Sequence, residues 1–129
     1  LAADPVPRLR RVTWIPYNEL RDEIAHADIA LGVFGKTGKA ARVIPNKVFQ
    51  VLAAGCPLVT RESPAIRELV PPEAPGVRIV PPDDPEALLA AIADLAAKGD
   101  APSPALAQRF ALETLAADYG NLLRKLDRR

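Results

Sequence analysis

Strand-like segments alternate with helix-like ones four times along this chain, and the links between them are too short for anything but right-handed crossovers. One helix-opening device recurs at Ser63-Pro64 and Asp84-Pro85: an N-cap side chain followed by proline at the first helical position, where its fixed φ suits the helix. Together these observations predict an α/β fold, a parallel sheet of about four strands flanked by helices in a doubly wound layer. The chain of 129 residues is about one domain. A domain of that size buries roughly two thirds of the surface its unfolded form exposes.

Residues 1–10 are rich in proline and arginine without periodicity and read as a linker or severed loop, leaving 11–129 as the domain. Arg11-Val-Thr-Trp-Ile15 alternates as a short strand that Pro16 ends, because proline cannot donate a ladder hydrogen bond. Asn18 is the expected N-cap of a helix with Leu20, Ile24 and Ala27 at helical spacing. Asp28 to Phe34 is an apolar run suited to a strand buried on both faces, and residues 35–43 form a loop of glycines and cations. Pro45 and Asn46 open the next helix, with Val48, Val51 and Leu52 on one side and Gly55 at its C-terminal cap.

Pro57 to Thr60 and Val77 to Val80 are the remaining strands. From Ser103 a last helical region runs to the C-terminus, with Leu106, Phe110, Leu115 and Leu122 available to the core and Gly120 as a weak point. In sheets of this kind ligands sit outside the carboxyl ends of the strands, where the loops after Ile15, Phe34 and Thr60 open.

Composition narrows the function. Seventeen Lys and Arg balance sixteen Asp and Glu, so there is no basic field to draw nucleic acid, and none is expected as a partner. A single cysteine, Cys56, forms neither an internal disulfide nor a metal cluster and reads as a small buried apolar residue. The sequence has no apolar run long enough to cross a bilayer, so a soluble, cytoplasmic location is the default expectation. The absence of methionine leads us to expect a piece of a longer protein.

Ala30-Leu-Gly-Val-Phe-Gly-Lys-Thr37 fits the relaxed form of a phosphate-binding P-loop. In a P-loop the glycines wrap the β-phosphate and Lys-Thr begins a helix, whereas here Leu31 to Phe34 are strand-like and the next well-signalled helix waits until Pro45. No later apolar strand ends in an aspartate to hold magnesium, and an NTPase is not the expected reading. A better anion site is the helix start at Pro45, where free amides of Asn46, Lys47 and Val48 sit at the positive end of the dipole. Gln50 falls one turn on, on the face of Lys47, so phosphate at the helix tip and a ribose one turn down would match a nucleotide.

Other polar residues have plainer readings. Lys36 and Lys39 are either phosphate ligands or solvated loop residues. His26 is suited to bonding terminal carbonyls of its helix. Glu68 stands where it could pair with Arg67 or Arg61. The basic tail Arg124-Lys-Leu-Asp-Arg-Arg is a solvated end or a contact with acidic lipid.

Phe34-Gly35, then Ile44-Pro-Asn-Lys-Val-Phe-Gln-Val-Leu-Ala-Ala-Gly-Cys-Pro-Leu-Val-Thr60, Arg67-Glu68-Leu69, Gly76 and Val80-Pro-Pro-Asp-Asp-Pro-Glu-Ala-Leu88 resemble the C-terminal domain of the group 1 glycosyltransferases. The resemblance runs from about Val12 to the C-terminal helix, and the Ala-Ala-Gly-x-Pro-Leu-Val stretch is its most specific part. It implies a GT-B fold of two Rossmann-like halves, of which this is a truncated C-terminal half that binds a nucleotide-diphosphate sugar. It further implies transfer with retention of configuration and no essential metal or other cofactor.

The family's landmark is a pair of glutamates with seven residues between them. The second grips the ribose and corresponds to Gln50; the first lies near the donor sugar and corresponds to Arg42. Gln50 keeps an acceptor, whereas Arg42 reverses the charge. The resemblance thus assigns Gly35, Lys36, Lys39, Arg42, Pro45, Asn46, Lys47, Gln50 and Glu68 to donor binding and leaves the catalytic groups unassigned. It implies two further strand-helix units ahead of Leu1, in the middle of the sheet, and an N-terminal domain of the parent chain as partner. The fragment alone is expected to be inactive. Family members acting on lipid-linked acceptors make peripheral contact with the inner membrane face a further expectation. The alternative from another class is a non-catalytic α/β scaffold or response-regulator-like module, although the chain lacks the acidic cluster at strand ends that a phosphorylated aspartate needs.

Overall fold

A computed structural model describes residues 7–127. Most of the expected linker, residues 1–6, and the last two residues of the basic tail lie outside the described residues. The order is α1 (Tyr17–Ala25), β1 (Ala30–Leu31), α2 (Gly38–Arg42), α3 (Asn46–Ala53), β2 (Leu58–Arg61), α4 (Pro64–Leu69), β3 (Val77–Val80), α5 (Pro85–Lys98), α6 (Pro104–Arg109) and α7 (Leu112–Asp127). The strands form one parallel sheet in the order β1-β2-β3, with Ala30 beside Leu58 and Leu58 beside Val77. The α/β class and the flanking helices agree with the sequence; the strands among the described residues number three.

The missing strand is Arg11–Ile15, which bends at Thr13 and pairs with no strand among the described residues. Val12 and Trp14 are 46% and 76% exposed, so the segment has no partner for its ladder bonds and no surface for its apolar side. Alternation in sequence supplies a face; only a neighbouring strand makes it a strand. β1 is short by assignment, yet its ladder continues: Gly32 N–H donates to the Val59 carbonyl at 2.8 Å and Arg61 N–H to the Val33 carbonyl at 3.1 Å.

β2 is central and buried along its whole length. Alternate side chains go to opposite faces, as pleating requires. Leu58 and Val77 join Val48, Val51, Leu52 and Ile66 from α3 and α4, with Leu106 and Phe110 beyond them, in the larger core cluster. Val59 and Val80 face the other way and pack on Ala91 and Leu95 of α5. Arg78 ties β3 to that second layer, donating to Asp94 at 2.7 Å and to Asp100 at 3.1 Å, while Lys98 holds Asp94 at 2.9 Å.

The Ser63 and Asp84 caps form as expected, each side chain accepting from the amide three residues on, and Ser103 caps the next helix in the same way. Asn18 is not a cap. Helix α1 starts two residues earlier, capped at Pro16, whose carbonyl already accepts from Glu19 and Leu20, at 3.0 and 3.1 Å. The expected loop 35–43 contains α2, which starts because the Thr37 hydroxyl accepts from Ala40 N–H at 3.2 Å. The C-terminal helical region is broken at Phe110 rather than at Gly120. Phe110 turns into the core edge-on to Phe49, with ring centroids 5.8 Å apart. Beyond the break Leu115 and Leu122, expected in the core, are 46% and 53% exposed.

Candidate functional site

The carboxyl ends of the three strands open into three loops that tie to one another. Lys36 forms an ion pair with Asp83, and Asp83 N–H donates to the Phe34 carbonyl at 3.1 Å. Asp83 sits in the left-handed region at φ 58, a conformation uncommon for a residue with a side chain. The Arg61 guanidinium donates to the Gly35 carbonyl and, at 2.9 Å, to the Glu62 carbonyl. Arg61 is only 7% exposed and has no carboxylate partner among the described residues. The sequence reading missed both organising groups; the Arg at the end of an apolar strand and the doubled aspartate before Pro85 were the available signals.

These ties settle the Gly-Lys-Thr question on new grounds. A helix does follow Thr37 directly, contrary to the expectation, but it is only five residues long. Lys36 is held by Asp83 and Thr37 is spent as an N-cap, so neither is arranged as in a P-loop.

At the amino end of α3, Pro45 is half-buried while Asn46 and Lys47 are exposed in the first turn. Of the three amides expected to be free, that of Val48 is bonded to the Pro45 carbonyl at 2.9 Å. Those of Asn46 and Lys47 find no acceptor among the described residues. The crevice beneath this turn is lined by Val33, Val43, Ile44, Val48, Thr60, Arg61, Ser63 and Ile66, and it encloses only about 10 Å³. That is room for about one water, so an anion would rest on the helix tip, not inside the sheet.

Lys39 and Arg42 are exposed on α2, and neither forms an ion pair among the described residues. Gly35 is exposed at the loop that Arg61 anchors. Glu68 is exposed on α4 and pairs with neither arginine: Arg67 instead takes Glu62, its Nε 2.8 Å from Oε2. Gln50 stands apart from the α3 crevice. It is half-buried in a groove of about 840 Å³ between α1, α3, α6 and α7, together with Tyr17, Asn18, Arg21 and Phe49. The structure therefore divides the predicted set between the helix tip, the loop after β1 and this groove.

His26 has the structural role expected: its ring Nδ1–H donates to the Asp22 carbonyl at 2.6 Å. Cys56, 3% exposed, donates to the Ala27 carbonyl at 3.4 Å, and burial pushes its thiol up from the usual range, away from reactive thiolate. Among the described residues no three potential metal ligands cluster, and no helix is long and apolar enough to cross a membrane.

No curated protein and no solved structure matches the chain. A family model described as glycosyl transferases group 1 matches residues 2–98, from before α1 through the whole sheet to the end of α5. On that match the chain belongs to the group 1 glycosyltransferases.

Proposed function

We propose that this chain is the donor-binding half of a retaining glycosyltransferase, holding a nucleotide-diphosphate sugar across α3. The observation that carries the reading is the groove of about 840 Å³ in which Gln50 meets Tyr17 and Asn18, one helical turn from the exposed amino end of α3. A cavity of that size suits a ligand of nucleotide dimensions. In this reading the nucleoside enters the groove with its ribose hydroxyls on the Gln50 amide. The diphosphate lies at the helix tip, where the Asn46 and Lys47 amides, the helix dipole and the Lys47 ammonium converge.

Charge-assisted bonds of that kind contribute about 1.5–3 kcal/mol each. Arg42 and Lys39 on α2 offset the remaining phosphate charge without an essential metal. Lys36 takes part only by leaving Asp83. The half works with an N-terminal domain of the parent chain that supplies the acceptor and is inactive alone. It is cytoplasmic, with its basic tail against the inner membrane face.

Calorimetric titration with UDP, GDP and ADP, each against its free nucleoside, tests this. Lys47→Ala should weaken the diphosphates and leave the nucleosides unchanged, whereas Gln50→Ala should weaken both. Absence of binding by all three diphosphates, to this chain and to a longer parent, would end the reading.

A further inference from the structure

Among the described residues Arg61 is the one charged side chain that is buried, at the carboxyl end of the central strand. More exposed arginines have carboxylates: Arg10 pairs with Glu23, Arg67 with Glu62, and Arg78 with Asp94 and Asp100. Arg61 has none among the described residues, although Glu62 is its neighbour in the chain. A buried guanidinium without a counterion is costly, so packing alone does not account for it.

Its hydrogen bonds do. Beyond β1 the chain leaves the sheet through three successive carbonyls, and each finds a donor. The Val33 carbonyl accepts from Arg61 N–H at 3.1 Å, that of Phe34 from Asp83 N–H at 3.1 Å, and that of Gly35 from the Arg61 guanidinium. The same guanidinium donates through Nε to the Glu62 carbonyl at 2.9 Å. Arg61 thus joins the loops after β1 and β2 at the residue before Lys36, just ahead of the Thr37 cap that starts α2. Holding Gly35 there holds Lys36, Lys39 and Arg42 in place behind it.

Carbonyl oxygens also repel a phosphate, and the guanidinium covers two of them. Arg61 lines the same crevice as Pro45 and Val48, which has room for about one water. Its charge therefore stands beside the turn of α3 on which an anion would rest.

We propose that Arg61 is a positioning residue for the diphosphate end of the donor site. Its forked guanidinium fixes the Gly35 loop and, through it, the cations of Lys36, Lys39 and Arg42, while the bound anion compensates its own charge. The role rests on the donor-binding reading above. The fork is essential, because separate nitrogens serve the carbonyls of two loops; a lysine ammonium keeps the charge without that geometry.

Hydrogen exchange of the whole chain, read by mass spectrometry on peptides covering 34–42 and β3, tests the clamp without a ligand. Arg61→Lys and Arg61→Gln should each speed exchange in 34–42 about tenfold, as loss of one charge-assisted hydrogen bond implies, with β3 still protected. Titrated with UDP, GDP and ADP, both variants should bind the diphosphates about tenfold more weakly than the parent and the free nucleosides equally well. Unchanged exchange in 34–42 would overturn the proposal. So would loss of protection in β3 as well, which would make Arg61 a support of the whole fold, or a lysine variant that binds diphosphates as tightly as the parent, since charge alone would then suffice. If neither this chain nor a longer parent binds any of the diphosphates, the donor reading fails and this role with it; if the parent binds and the lysine variant binds equally, only the role of Arg61 fails.

Discussion

Gly32→Ala tests how the site's loop is held against the sheet. A Cβ built on Gly32 would lie 2.3 Å from the Thr60 Oγ1, 2.6 Å from its Cβ and 3.2 Å from its Cα. Thr60 is 2% exposed in the central strand and has nowhere to move. The Gly32 backbone is not in the left-handed region, so alanine is compatible with its conformation and, without the clash, would stabilise by about 0.4–1 kcal/mol. Overpacking a buried contact this close costs about 3 kcal/mol, the upper end of the usual range. The clash wins by a clear margin.

Urea unfolding followed by circular dichroism measures the difference, with an unchanged slope indicating that stability alone has moved. The rescue pattern is specific. Thr60→Ala keeps the Cβ that the introduced methyl would strike and should recover little, whereas Thr60→Gly should recover most of the packing loss. A Gly32→Ala chain as stable as the parent would refute the close approach of β1 and β2 on which the loop geometry depends.

Three further outcomes follow from the same geometry. Ser63→Ala removes a buried cap that accepts from Ile66 N–H at 3.2 Å, and should lower unfolding stability by about 1–2 kcal/mol in urea. The Lys98 hydrogen bond, followed by that of Arg78, holds the Asp94 carboxyl below the usual carboxylate range. Its contribution is therefore present above that range and lost as pH falls through and below it; acid titration of Asp94→Asn should show a shallower loss than the parent. Phe110→Ala should destabilise by about 3–5 kcal/mol, because it empties a core position stacked edge-on against Phe49, and near-ultraviolet dichroism should lose signal with it.

What could be read from sequence was whatever a residue decides locally. Ser63 and Asp84 announced their helices because a cap and the proline after it need only their own backbone. The period of Val48, Val51 and Leu52 placed α3's buried face for the same reason. The failures lay where the outcome depends on a distant partner. Val12 and Trp14 alternate as well as Val77 and Ile79 do, but only β3 has β2 to pair with. Leu115 and Leu122 carry helical spacing like that of Leu106 and Phe110, and spacing alone cannot distinguish a face turned to the core from one turned outward.

The site divides along the same line, and the division has a physical consequence. That the Asn46 and Lys47 amides stand at a helix start was legible because a helix start orients its own amides. The ion pair of Lys36 was not, because its partner Asp83 comes from the loop after β3, and it competes with any phosphate for that charge. Gln50 shares α3 with Lys47, yet α1 and α7 enclose it in a groove that no pattern within α3 foretells. A ligand spanning helix tip and groove would thus feel two separately built environments, one electrostatic and exposed, the other half-buried and shaped by packing. Salt should screen binding at the first and leave the second nearly unchanged. If rising ionic strength weakened free nucleosides as much as their diphosphates, the two environments would not be separable and the division between tip and groove would fail.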